Sequence, residues 1–275
     1  MTKAIGEKHL KGLTDMSKIQ DILRYTKPKG DALRWVAHAG LLAGLLMGPT
    51  SYWWVTAGVY FWFASIGLFV GQHRYFAHRS FETNKFWEYV LNISGTLASL
   101  TSTFGYIIKH REHHIDTDGK GDPHSPHHMS LWKSWTLGLK DDKYDLKLGK
   151  DWLRNTGLMN THQNFFGWIV FYNSILALID PWLILYAYLM PVSLCVWATG
   201  AFNTWGHGKG LKMFGYRNWD TKDQSTNHHI VNLITFGEGW HNNHHQAPRD
   251  YVHGEQNWWE WDLNAWIIRA IKKKT

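Results

Sequence analysis

The feature that most restricts what this chain can fold into is a repeated histidine pattern. His110-Arg-Glu-His113-His114 and, far downstream, His241-Asn-Asn-His244-His245 share the spacing H-x-x-H-H, and His73-Arg-Tyr-Phe-Ala-His78 forms a third cluster. On a helix, residues i, i+3 and i+4 lie on one face, so the imidazoles of each triad can converge. Eight imidazoles exceed what one tetrahedral zinc needs, and neutral imidazole suits iron, copper, nickel and zinc, so the clusters predict a dinuclear metal centre. A chain with 18 histidines clusters some of them by accident. Recurrence of one spacing in two distant segments argues against accident.

The histidines sit between apolar windows. Aromatic residues make up 16% of the chain, with 18 Trp, and only 19% of residues are charged, a balance suited to a membrane interface. Mean hydropathy is only -0.34 because apolar stretches alternate with polar, His-rich ones. Windows 32–48 and 52–71 flank the uncharged turn Gly48-Pro49-Thr50-Ser51, and windows 165–180 and 181–202 meet at Asp180-Pro181. They predict two helical hairpins and hence four spans, with Pro191 tilting or kinking the last. The expected fold is an all-α integral membrane protein, one domain over 1–275. Its four transmembrane helices carry a cytosolic helical cap, from about 73–164 and 203–275, that holds a histidine-ligated di-metal centre.

Lys3, Lys8, Lys11, Lys18, Arg24, Lys27, Lys29 and Arg34 precede or enter the first span, whereas neither hairpin turn carries a basic residue. A multi-pass topology with both termini and the metal site cytosolic follows. The first span then reads as a retained helix, not a cleaved peptide. Region 86–104 is rich in hydroxyl and amide side chains, among them Asn92, Ser94, Thr96, Ser99, Thr101, Ser102 and Thr103. Such a run is too polar to face lipid and predicts a helix packed at the interface or partly re-entrant, which keeps His73 and His110 on one side. The net charge of +7 suits anionic lipid headgroups. No nucleic-acid motif accompanies it, so a nucleic-acid partner is not expected. Cys195 is the single cysteine, which excludes an intramolecular disulfide, a cysteine-ligated iron–sulfur cluster and a C-x-x-C-H haem attachment. Gly206-His-Gly-Lys-Gly210 lacks the spacing and the preceding strand of a nucleotide loop.

A longer ordered set of motifs then carries a resemblance. Gly71-Gln-His-Arg-Tyr-Phe-Ala-His-Arg-Ser-Phe81, His110-Arg-Glu-His-His114, Asp122-Pro-His124, Asn203-Thr-Trp-Gly-His207-Gly208, Gly237-Glu-Gly-Trp-His-Asn-Asn-His-His245 and Trp258-Trp-Glu-Trp261 make the chain similar to the membrane fatty-acyl desaturases, in their stearoyl-CoA-desaturase-like branch. The resemblance implies nine ligands, His73, His78, His110, His113, His114, His207, His241, His244 and His245, with Asn203 acting through a water. It also implies two iron ions, dioxygen as co-substrate, and two electrons from an external ferredoxin- or cytochrome-type donor. The implied reaction places a cis double bond, Δ9-type, in a saturated acyl chain. An endoplasmic-reticulum, bacterial or thylakoid membrane is compatible with it. Related di-iron acyl or alkyl hydroxylases and a non-catalytic membrane metal carrier are the alternatives; near-absence of ionisable groups within the spans disfavours the carrier.

Two departures bear on the acyl carrier. Ser125-Pro-His-His128 stands where the animal acyl-CoA enzymes carry basic residues, and Tyr106-Ile-Ile-Lys109 departs from their W-x-R-D pattern. Lipid, CoA and acyl carrier protein therefore all stand as carriers of the chain. Metal-bound imidazoles donate their second N–H to an outer acceptor, and Asp122, Asn242, Glu238 and Glu112 are candidates for that role. His228 and His229 are expected to be outer or surface groups, while His127 and His128 receive no role. Ala57 and Phe61, with Trp62 beside them, are the candidate substrate contacts closing a tunnel in which each buried methylene contributes about 0.8 kcal/mol.

Overall fold

Histidines this far apart can meet only if the helices bearing them are gathered at one end, and that gathering dominates the architecture. The computed structural model describes residues 16–139 and 144–274; Lys3, Lys8 and Lys11 lie outside the described residues. The fold is mostly helical. Its principal elements are α1 (Met16–Met47), α2 (Trp53–Ala77), α3 (Lys85–Leu97), α4 (Thr103–Ile115), α5 (Phe165–Ile179), α6 (Trp182–Trp205), α7 (His229–Thr235), α8 (His241–Gln246) and α9 (Leu263–Ile271). A small antiparallel hairpin, β1 (Gly215–Tyr216) and β2 (Asn227–His228), pairs Gly215 with His228 and Tyr216 with Asn227.

Among the described residues, two helices are long and apolar enough to cross a membrane. These are α2 and α6, with mean hydropathies of 1.5 and 1.6 over their best windows. The third expected span, α5, is apolar but has only 15 residues, about 22 Å at 1.5 Å per residue and short of a 30 Å hydrocarbon core. The first expected span forms the C-terminal part of α1. Large apolar side chains point outward from these helices, including Leu46, Trp54, Leu178 and Ile179. Exposed apolar side chains of this kind suit lipid better than water.

Both long helices overrun the expected boundaries. The second span was expected to end at 71 and the cap to start at 73, yet α2 runs on to Ala77 as one rod. The reason is that its polar end is paired inside the protein: the Gln72 amide donates to the Thr103 hydroxyl, and Arg74 Nε donates to Glu238 Oε1 at 2.7 Å. The last span likewise reaches Trp205 rather than 202. Within it, the chain widens into a π-helical stretch at Leu185–Leu189, immediately before Pro191. Proline lacks an N–H and breaks the regular ladder on its N-terminal side.

The polar run of α3 and the turn after it faces protein. Ser94 accepts from Trp62 Nε1 at 2.8 Å, Asn92 accepts from Thr161, Ser99 meets the Tyr188 hydroxyl and Ser102 meets His162. Helices α2 and α3 touch backbone to backbone: a Cβ on Gly67 would stand 2.7 Å from the Ser94 carbonyl carbon. Replacing Gly67 with alanine is expected to force these helices apart and to destabilise the protein by about 1–3 kcal/mol, the usual cost of overpacking. A thermal melt of the purified protein in detergent measures it, and an unchanged melting temperature would refute the close crossing.

Candidate metal centre

The local winding of each segment explains how its histidines meet. His73 and His78 are five residues apart, which on an ordinary α-helix leaves them about 140° apart around the axis. Over Trp62–Ala77, however, α2 is π-helical, and the His78 N–H bonds to the His73 carbonyl at 3.1 Å. The wider turn draws the two rings to 4.8 Å between centroids. On α4 and α8 the H-x-x-H-H triads occupy one face, but not one point. Relative to the first histidine, i+3 lies about 60° to one side and i+4 about 40° to the other.

That offset divides each triad between two groups. His73, His78, His110, His114 and His244 form one; His113, His207, His241 and His245 form the other, with the potential ligand atoms of each group within 4.8 Å of one another. Helix α4 gives its i and i+4 rings to the five-membered group and the third ring to its neighbour, and α8 does the reverse. Both helices therefore tie the groups together. His207 arrives from the end of α6. Asn203, one turn earlier, is buried and lines a cavity beside His110.

Outer carboxylates orient the rings. Nδ1 of His73 donates to Glu238 at 2.5 Å, of His113 to Asp122 at 2.7 Å, of His207 to Asp118 at 3.1 Å and of His245 to Asp223 at 3.1 Å. A neutral ring that holds its proton on Nδ1 presents a bare lone pair at Nε2. Those Nε2 atoms face inward, where His207 and His245 stand 2.9 and 3.0 Å from His241 Nε2. In the other group, Nε2 of His78 is 2.7 Å from that of His110, and Nε2 of His244 lies 3.2 and 3.1 Å from those of His73 and His114. One ring can donate to one neighbour at most. The remaining lone pairs then face each other in a buried space, a donor set that fits a cation at the centre of each group.

Charge points the same way. Burial pushes His113 down to about 3 and holds His241, His244 and His245 below the usual imidazole range, so these rings are neutral. Burial would raise Asp118, yet His207 beside it brings its carboxyl to about 2; Asp122 and Asp223 are likewise held low against burial by the histidines they accept from. His207 is the exception among the rings: burial lowers it, but Asp118, Asp122 and Asp223 together raise it above the usual imidazole value. Anionic carboxylates around neutral rings leave negative charge inside the protein, which metal cations would balance.

Four outer partners were expected, and two of them, Asp122 and Glu238, bond to histidines of the groups. Glu112 instead pairs with Lys109 at 2.9 Å, and Asn242 receives the backbone N–H groups of Asn218 and Trp219. Asp118 and Asp223 escaped sequence reasoning because they stand 89 and 22 residues from the rings they orient. His127 Nε2 donates to the His207 carbonyl and His128 Nε2 to the Asp118 carbonyl, backing the site, whereas His228 caps α7. Gly237, at a φ of 139° that favours glycine, makes the turn that brings Glu238 beneath His73. The cavity next to His110 is walled by Leu100, Leu137, Phe165 and Phe202. Ala57 is exposed on α2 and Phe61 packs edge-on against Phe236; neither lines that cavity.

This geometry agrees with the relationships of the sequence. Residues 51–271 match the fatty acid desaturase family model, and the chain belongs to that family. It is 31% identical to an sn-1 stearoyl-lipid 9-desaturase of Anabaena variabilis, over 90% of this chain and 92% of the relative. It is 33% identical to an sn-1 stearoyl-lipid 9-desaturase of Synechocystis, over 84% and 73%. A hex-5-enoyl-[acyl-carrier protein] acetylenase of Moorena producens is 29% identical over 88% and 77%. The chain is thus a fatty acid desaturase, an oxidoreductase that depends on metal.

Outer carboxylates typically govern metal affinity by 10–100-fold, so Asp122→Asn and Asp223→Asn are each expected to weaken metal retention by about that factor. Glu112→Gln, which disturbs only the pair with Lys109, should retain metal like the wild type. Metal content after a timed chelator challenge reads both.

Proposed function

We propose that this chain is a multi-pass membrane desaturase that holds two iron ions, one in each histidine group, and inserts a cis Δ9 double bond into a saturated, lipid-linked acyl chain. The observation that carries this reading is the convergence of nine histidine rings into two neighbouring groups beside an apolar cavity. A saturated methylene offers no acidic proton and no electrophilic carbon, so acid–base side chains cannot remove its hydrogens. When bound, the iron pair supplies, with dioxygen and two external electrons, the oxidising power the reaction requires.

The protein's own task is placement. Neighbouring methylenes have nearly equal reactivity, so the site of attack is set by how the chain is held. Leu100, Leu137, Phe165 and Phe202 provide the apolar walls, and His110, His124 and Asn203 mark the end nearest the metals. Asn203 is proposed to act through a water. Among the other residues lining the cavity, Arg34 pairs with Asp31 and donates to the Leu100 carbonyl, while Lys109 pairs with Glu112 and lies over the Tyr144 ring. Cations already matched by carboxylates suit a neutral ester better than the phosphates of CoA. Two of the relatives named above carry a lipid-linked substrate in their names, which supports the same carrier and the Δ9 position.

The proposed topology has four spans with α5 seated in a locally thinned bilayer, both termini and both metal groups on the cytosolic side, and one domain throughout. A soluble ferredoxin- or cytochrome-type donor would then reach the cap from the same compartment.

Mass spectrometry of acyl chains from cells expressing the wild type or His113→Ala, with double-bond positions assigned, tests this function. A Δ9 monoene is expected in intact glycerolipids and should vanish in the variant. Hydroxylated chains would reassign the enzyme as a hydroxylase, and a monoene appearing first in the CoA pool would overturn the lipid carrier.

A further inference from the structure

His253 is a tenth imidazole at the centre, outside every histidine motif. Its side chain is 1% exposed; among the described residues Nε2 has no hydrogen-bond partner, and Nδ1 has only the Glu238 carboxylate within reach. The backbone around it is pinned, since its N–H donates to Asp262 at 2.8 Å and its carbonyl accepts from Asn243 at 2.9 Å. The ring stands 4.4 Å from that of His244, tilted by 39°, and His253 Nδ1 is 3.5 Å from Glu238 Oε2. His244 matters here because its Nδ1 is buried without a hydrogen-bond partner among the described residues, whereas His73, His113, His207 and His245 each have a carboxylate.

We propose that His253 is the positioning residue for His244: one internal water joins His253, Glu238 and His244 Nδ1–H, and so holds the tautomer that turns the His244 Nε2 lone pair into the five-histidine group. Unpartnered nitrogens on two touching rings, with a carboxylate oxygen beside them, supply the two to four polar contacts an internal water needs. A further cation is the wrong occupant, because the Arg74 guanidinium already contacts Glu238 at 2.7 Å. This assignment rests on the metal reading of the centre.

The test uses the full chain in detergent, loaded with Co(II), whose visible spectrum reports coordination without turnover. His253→Phe keeps a ring in place and removes both nitrogens; His253→Gln keeps hydrogen-bonding groups. The Phe variant is expected to bind its first-lost Co(II) about 10–100-fold more weakly, with an altered visible band, and the Gln variant to stay within roughly threefold of wild type. Wild-type affinity and spectrum in the Phe variant would overturn the assignment. So would a Gln variant as weak as the Phe variant, which would make the role one of packing, a conclusion that melting temperatures of the metal-free proteins would reinforce. A wild-type chain that retains no metal overturns the assignment together with the metal reading, while a loaded wild type with an unaffected Phe variant overturns the assignment alone.

Discussion

Lone pairs on neighbouring imidazoles repel at hydrogen-bonding distance, and this centre packs many of them together away from water. The carboxylates of Glu238, Asp122, Asp118 and Asp223 make that arrangement definite by holding the Nδ1 protons outward. Without them each ring could flip its tautomer and satisfy its neighbours by ordinary hydrogen bonds. With them, the inward faces become acceptors that a cation would satisfy. The outer shell thus does as much as the histidines to define the chemistry of the site.

Everything that delivers those carboxylates therefore matters. Asp223 comes from the loop between β1 and β2, and Asp118 from the turn after α4, where it also accepts the Gln224 N–H at 2.8 Å. That single side chain links the α4 turn to the hairpin and orients His207 at the end of α6. Glu238 is anchored by Arg74, which also contacts Asp262 at 3.0 Å, so the tip of α2, the segment before α8 and the start of α9 share one buried charged network. Breaking such a network exposes uncompensated charge inside the protein, which is why the tip of α2 stays helical well beyond its apolar length.

Legibility in the sequence followed the range of the interactions. The H-x-x-H-H triads were readable because helical geometry is local, and so were Asp122, close in sequence to the His113 it orients, and Glu238, next to a motif. The polar run from Asn92 to Thr103 was legible as a stretch in need of polar partners, although only packing reveals that Trp62, Thr161, Tyr188 and His162 are the partners that take it up. Glu112 and Asn242 illustrate the converse. Both sit within histidine motifs, yet their side chains turn toward other partners.

The sequence by itself determined the metal-binding character of the chain, its apolar helices and its family, because each depends on residue type and on spacing within one element. Tertiary structure alone decided how the nine rings divide into five and four, which carboxylate orients which ring, and that His253 stands against His244. Those outcomes depend on the π-helical widening of α2, the close crossing at Gly67 and the meeting of distant loops. The first is a departure from regular winding and the other two are contacts between separate elements, so the residue spacing of a regular helix encodes none of them.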